Sequence, residues 1–214
     1  ITADTARGIE FKGAMVYTND FEGKITKFNL TNMSDDGDSN AIALYDNTTL
    51  FNSGSTKSNG RYMYHSMDAT IGQKTNSLWL YSGTGDYERL TTSSNAISNL
   101  LLGINDPHYP LYKEVKTPAL ADDLTDCKNT TNDTSGASCP QAGDRGWYIT
   151  LNDSKKVTAE PTVSSGLVYF PIYKPSSSVN KCSLGDAFIC AIHAECGTNK
   201  SARSRKDGGL GANT

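Results

Sequence analysis

The chain has 214 residues, enough for one sizeable core or two small ones. Its formal net charge is −3 with 20 % charged residues, so it carries no electrostatic footprint for nucleic acid or an anionic membrane. Hydrophobic residues are 36 %, Gly is 19 and Tyr is 11, among many Ser, Thr and Asn. That mixture of turn formers and β formers predicts an all-β chain of short strands.

In chain order, Ala14 to Thr18 and Lys24 to Leu30 read as two strands around Asn19-Asp20-Phe21-Glu22-Gly23. That loop closes a hairpin on a glycine able to take positive φ. A polar loop over residues 35–40 precedes a strand at Ala41 to Tyr45. Ser77 to Ser82 is a dense apolar run bounded by Asn76 and Gly83, the pattern of a strand buried on both faces. Ala96 to Ile104 suits a strand or a short helix, and periodicity leaves the choice open. Residues 117–145 form a long polar loop containing two cysteines. Strands are then expected over Trp147 to Leu151, Val157 to Val163, Leu167 to Ile172 and Ala187 to Ala194. No amphipathic helix of ordinary length and no apolar run of roughly 18 residues is present, which predicts no membrane-spanning helix.

Short strands in hairpin pairs leave a sandwich or a propeller. An internal echo favours the propeller: residues 13–30 and 165–192 both run Gly, apolar, Val-Tyr, turn, second apolar strand. The expected fold is all-β, a partial β-propeller of antiparallel four-stranded blades, with residues 1–214 as a single domain or a fragment of one. At roughly 40–50 residues per blade the chain makes about four blades, fewer than a closed ring usually uses.

The five cysteines are Cys127, Cys139, Cys182, Cys190 and Cys196, with no CxxC pair. Zinc is not expected, because four ligands cannot be gathered locally. Two local disulfides, Cys127–Cys139 and Cys182–Cys196, fit the spacing with Cys190 left over; Cys182–Cys190 is the competing bridge. Disulfides place the protein in an oxidising compartment. Seven Asn-x-Ser/Thr sequons, starting at Asn29, Asn32, Asn47, Asn129, Asn132, Asn152 and Asn199, are compatible with secretion.

Several stretches together resemble the C-terminal domain of the PilC/PilY family of secreted type IV pilus proteins. They are residues 16–30, Leu78 to Asp86 ending in Gly-Thr-Gly-Asp, and Gly103-Ile104-Asn105-Asp106. Gly146-Trp147-Tyr148 follows with Lys156-Val157-Thr158 and Pro161, then residues 169–176 and the cysteine loop from Cys182 to Gly197. Their order and number carry the resemblance, since no single motif is specific. It implies a modified propeller at the pilus tip, outer membrane or periplasm, with roles in pilus assembly, retraction and adhesion. The implied partners are minor pilins and a host or abiotic surface. Many family members carry an Asp-rich calcium loop before the first strand pair; here Thr2 to Lys12 offers only Asp4 and Glu10.

The remaining chemistry is sparse. Asp35, Asp36 and Asp38 are candidate calcium ligands, but the loop lacks a terminal bidentate Glu, and a solvated turn is the expected reading. Gly83-Thr84-Gly85-Asp86 lacks the third glycine and lysine of a phosphate loop and reads as a tight turn. His65, His108 and His193 have no Gly-x-Ser-x-Gly elbow beside them. Cys190 shares a strand face with Phe188 and Ile192 and reads as a core residue. No catalytic site and no cofactor is expected. Tyr62, Tyr64, Tyr87, Tyr109 and Tyr112 are the candidate contact surface, because tyrosine offers rigid amphipathic area to a protein partner. Two alternatives share the fold: a quinone-dependent propeller dehydrogenase and a carbohydrate-binding lectin propeller. Two tryptophans and no adjacent cysteines disfavour the former.

Overall fold

The computed structural model describes residues 2–4, 13–31, 45–113, 125–126, 144–177 and 184–197. Thirteen strands are described: β1 (Thr2–Asp4), β2 (Gly13–Asn19), β3 (Lys24–Thr31), β4 (Asn47–Asn52), β5 (Asp68–Ile71), β6 (Leu78–Gly83), β7 (Asn99–Asp106), β8 (Thr125–Asp126), β9 (Gly146–Leu151), β10 (Lys156–Val157), β11 (Thr162–Ser164), β12 (Leu167–Lys174) and β13 (Asp186–His193). No helix occurs among the described residues, and none there is long and apolar enough to cross a membrane.

The strands form three sheets. The first runs β1-β2-β3-β4; the second runs β5-β6-β7-β9-β8; in the third, β12 pairs β10, β11 and β13. All pairings are antiparallel except β8 on β9. The middle sheet therefore departs from the expected four-stranded blade: a two-residue parallel strand is added beside β9. The architecture is all-β and propeller-like, with the sheets packed in series through two cores.

Alternation of side chains across the middle sheet builds both cores. One face of β6 and β7 sends Leu78, Leu80, Leu100, Leu102 and Ile104 against Met15, Tyr17, Ile25, Leu50 and Phe51 of the first sheet. The other face sends Trp79, Tyr81 and Leu101, with Trp147 of β9, against Val168, Phe170, Ile172 and Ile192 of the third sheet. A strand covered on both faces needs apolar residues at every position, and all six residues of β6 are buried. Each fully buried large apolar side chain contributes about 1.5–3 kcal/mol.

Local chemistry fixes the turns. Gly23 has φ 74°, and a Cβ there would strike Ser53 Oγ and the Arg61 carbonyl, so only glycine closes this hairpin. Ala96 to Ile104 resolves as β7, whose leucines fill the two cores in alternation. The expected strand Val157 to Val163 is two short strands, β10 and β11, separated around Pro161, and both pair with the same side of β12. Proline has no N–H for a ladder bond, which explains the break. The expected strand at Ala41 to Tyr45 lies outside the described residues save Tyr45.

Candidate interaction surface

Three connections converge on one aromatic cluster. The β2–β3 turn carries Phe21, the segment between β4 and β5 carries Tyr62, Tyr64 and His65, and the segment after β6 carries Tyr87. The first is clamped to the second: Ser53 N–H donates to the Gly23 carbonyl at 2.8 Å, and Ser53 Oγ donates to the Arg61 carbonyl at 3.1 Å. Asn19 Nδ2 donates to the His65 carbonyl at 2.7 Å. Gly85 N–H donates to the Tyr62 carbonyl at 2.9 Å, joining the second connection to the third. Arg61 reaches from the same segment to the Ser98 carbonyl and hydroxyl at 2.6 and 3.1 Å, which fixes it to the entry of β7.

The rings pack edge-on and tilted. Phe21 and Tyr64 centroids are 4.9 Å apart, Tyr62 and Tyr64 6.2 Å, Tyr64 and Tyr87 6.5 Å, and His65 and Tyr87 5.5 Å. These are the separations at which aromatic pairs attract beyond their area of burial. Yet Phe21 is 63 % exposed and Tyr87 52 %, so the cluster presents apolar area to solvent. Its rim is charged. Lys24 is paired with Glu22, and Arg89 with Asp86 at 2.5 Å, which leaves Glu88 as an acidic neighbour of Tyr64. Burial, and then Asp86 and Glu88, raise the Tyr64 phenol above its ordinary value. Burial also lowers the His65 imidazole, and its Nε2 has no hydrogen-bond partner among the described residues. The surface is uncharged at its centre and acidic at its edge.

Of the five tyrosines expected on a contact surface, Tyr62, Tyr64 and Tyr87 lie in this cluster. Tyr112 does not: it is 5 % exposed in the first core. Tyr109, next to the cis bond to Pro110, packs against that core as well. The register of the chain after β7 turns both inward, and a count of tyrosines carries no information on side-chain direction. Phe21 and His65 complete the cluster; the sequence signal for Phe21 was a bulky apolar residue inside a turn, where polar residues are usual.

Gly83-Thr84-Gly85-Asp86 is the expected turn. A Cβ at Gly83 would strike Val157, and one at Gly85 would meet Lys156 and Val157, so the two glycines let β10 lie against the end of β6. Thr84 Oγ1 accepts from Leu100 N–H at 2.8 Å and donates to Asn99 Oδ1 at 3.1 Å. The backbone groups that a phosphate would need are consumed internally: Thr84 N–H donates to Leu100 O, and Gly85 N–H to Tyr62 O. Both tryptophans are structural. Trp147 Nε1 donates to the Ala194 carbonyl at 2.7 Å, and Trp79 Nε1 to Thr75 Oγ1 at 2.8 Å.

A concavity of about 460 Å³ lies elsewhere, lined among others by Ser93, Ser94, Asn152, Asp153, Lys174 and Pro175. Ser154 Oγ accepts from Ser94 N–H at 2.9 Å, and Lys174 Nζ donates to Asp153 Oδ2 at 3.1 Å.

Asp35, Asp36 and Asp38, the candidate calcium ligands, lie outside the described residues, as do Cys127, Cys139 and Cys182. Cys196 is buried in the turn after β13. Cys190 is a free thiol half-buried against the second core beside Phe188, and burial pushes it up to about 11.

No protein-family model matches the chain, and no curated protein matches it. Among solved structures it is similar to the crystal structure of the Pseudomonas aeruginosa PilY1 C-terminal domain, with a TM-score of 0.59 at 11 % identity. The likeness covers 89 % of this chain and 45 % of that one, so the chain spans less than half of that structure. At that identity the likeness is one of fold.

Proposed function

We propose that the chain is a type IV pilus assembly and retraction factor and pilus-tip adhesin, which acts by protein–protein or surface contact and not by catalysis. The observation that carries this reading is the likeness of fold to the PilY1 C-terminal domain, reached independently of the ordered motifs in the sequence. Its partners are minor pilins or the pilus tip on one side and a host or abiotic surface on the other. The working compartment is extracytoplasmic. No cofactor is needed, and calcium is not integral to this part of the molecule.

The aromatic cluster supplies the contact chemistry. Binding energy in protein interfaces concentrates in a few aromatic anchors at the centre of a patch, ringed by polar groups that exclude water. Phe21, Tyr64 and Tyr87, with Asp86 and Glu88 nearby, have that form. A carbohydrate-binding reading is favoured by one other observation, the concavity lined by hydroxyls, an amide and the Asp153–Lys174 pair.

The test is a strain carrying Phe21→Ser, Tyr64→Ser and Tyr87→Ser together. One hot-spot aromatic is worth about 2 kcal/mol, so adherence or surface piliation should fall at least about tenfold. Variant protein that melts within a few degrees of the parent, in a strain with unchanged piliation and adherence, would remove the cluster from the account.

A further inference from the structure

Two reactive side chains meet inside the first core, shut off from solvent. Lys27 Nζ, on β3, lies 2.7 Å from Asp106 Oδ2 at the end of β7, and both side chains are buried. A second bond, from Nζ to the Leu111 carbonyl at 2.8 Å, fixes the amine in place. The Tyr112 ring, a core residue, stands 5.8 Å from Nζ and supplies an apolar wall. The carboxyl is held as firmly. The Tyr17 hydroxyl donates to Oδ2 at 2.7 Å, and His108 N–H donates to Oδ1 at 3.1 Å. Lys156, also fully buried, offers a contrast: its Nζ donates to the carbonyls of Thr92 and Ser154, which are amides already.

We propose that Lys27 and Asp106 become joined by an amide between Nζ and Cγ, formed by the folded chain itself with loss of one water. The starting state favours it. A buried ion pair carries the desolvation cost of two charges, whereas an amide carries no charge and keeps a donor and an acceptor. The amide N–H can still donate to the Leu111 carbonyl, and Oδ1 can still accept from His108. Reacting groups fixed side by side behave as though at effective molarities of about 10⁵–10⁸ M. The dry core also withholds the water that would reverse the step.

The atoms balance without a co-reactant. One proton passes from Nζ to Oδ2 along the 2.7 Å contact and leaves a neutral amine beside a carboxylic acid, the forms a low dielectric favours. The amine lone pair attacks Cγ, and the charge that gathers on Oδ1 faces the His108 N–H. A second proton travels from nitrogen to Oδ2 through the Tyr17 hydroxyl, which takes one proton as it gives another. The Cγ–Oδ2 bond breaks, water departs and the C–N bond of the amide remains. Burial, then Asp106, raise the Tyr17 phenol above its ordinary value, so it stays protonated and able to donate. The new bond ties β3 of the first sheet covalently to β7 of the second.

The intact mass of the unfolded, reduced parent protein tests the proposal. It should fall short of the sequence mass by one water. A tryptic digest should contain a branched peptide, residues 25–57 joined to residues 90–113 through Lys27 and Asp106, with no cleavage after Lys27. Lys27→Arg keeps the cation but offers a guanidinium in place of the amine, so its mass should be that of its own sequence. The parent alone decides the matter if that variant fails to fold. A parent of full sequence mass would overturn the proposal. So would a water loss confined to a linear peptide, as a cyclic imide at Asp36-Gly37 would give, or the same loss in Lys27→Arg.

Discussion

Two buried carboxylates hold parts of the chain that the sequence separates widely. Asp106, at the end of β7, is 1 % exposed and lies 2.7 Å from Lys27 Nζ on β3, itself fully buried. Tyr17 donates to the same carboxylate oxygen at 2.7 Å, and Lys27 also donates to the Leu111 carbonyl at 2.8 Å. The pair joins the first sheet to the second inside the first core. Removing one member of a buried ion pair leaves an uncompensated charge and costs about 3–5 kcal/mol, whereas losing one hydrogen bond to a charged group costs about 1.5–3. Asp106→Ala should therefore destabilise more than Tyr17→Phe in urea unfolding, and the reverse order would show that Asp106 is not the hub. Glu195 acts at the other end of the molecule. Burial pushes its carboxyl upward, but the N–H groups of Thr75, Lys74 and Gln73 and the Thr75 hydroxyl outweigh that and hold it below its ordinary 4.5. A carboxyl depressed in the folded state stabilises fully above its unfolded value and loses that contribution as pH falls through the folded value. Glu195→Gln should thus lower the melting temperature at pH 7. The gap to the parent should narrow as pH drops below about 4.5, where the parent's own carboxylate protonates. A gap constant from pH 7 to pH 3 would contradict the ionised clamp.

At the scale of the element, strands covered on both faces were the legible ones. Leu78 to Gly83 announces itself because each position must satisfy a core. Strand β4 passed unread, since only Leu50 and Phe51 in Asn-Thr-Thr-Leu-Phe-Asn are apolar and its outer positions meet water. Strand β5 has four residues and half-buried positions, too short for alternation to show. The Gly103 and Trp147 pair shows a constraint that periodicity cannot express. A Cβ on Gly103 would sit 2.4 Å from the Trp147 ring, whose Nε1 is already committed to the Ala194 carbonyl. Gly103→Ala must displace the indole or the strand, and overpacking of that kind costs about 1–3 kcal/mol. Melting should fall accordingly, with a changed tryptophan emission; an unaltered variant would mean that the sheets separate more easily than their packing implies.

For the whole molecule, the propeller-like series of antiparallel sheets was readable from strand length, turn composition and the echo between residues 13–30 and 165–192. In the structure these are the β2–β3 and β12–β13 hairpins, on either side of the middle sheet. The candidate surface was readable only in part. Tyrosine enrichment pointed to Tyr62, Tyr64 and Tyr87, but the convergence of three connections that brings Phe21 and His65 beside them is set by long-range hydrogen bonds. The same long-range packing removes Tyr112 to the core. On the proposed function the chain works at the pilus and touches what the pilus touches. Sheared pili from the source organism, labelled with antibody against the chain and viewed by electron microscopy, test it most directly. The account predicts label at the free ends of filaments, lost when the reading frame is deleted; label absent from pili and confined to the cytoplasm would contradict it.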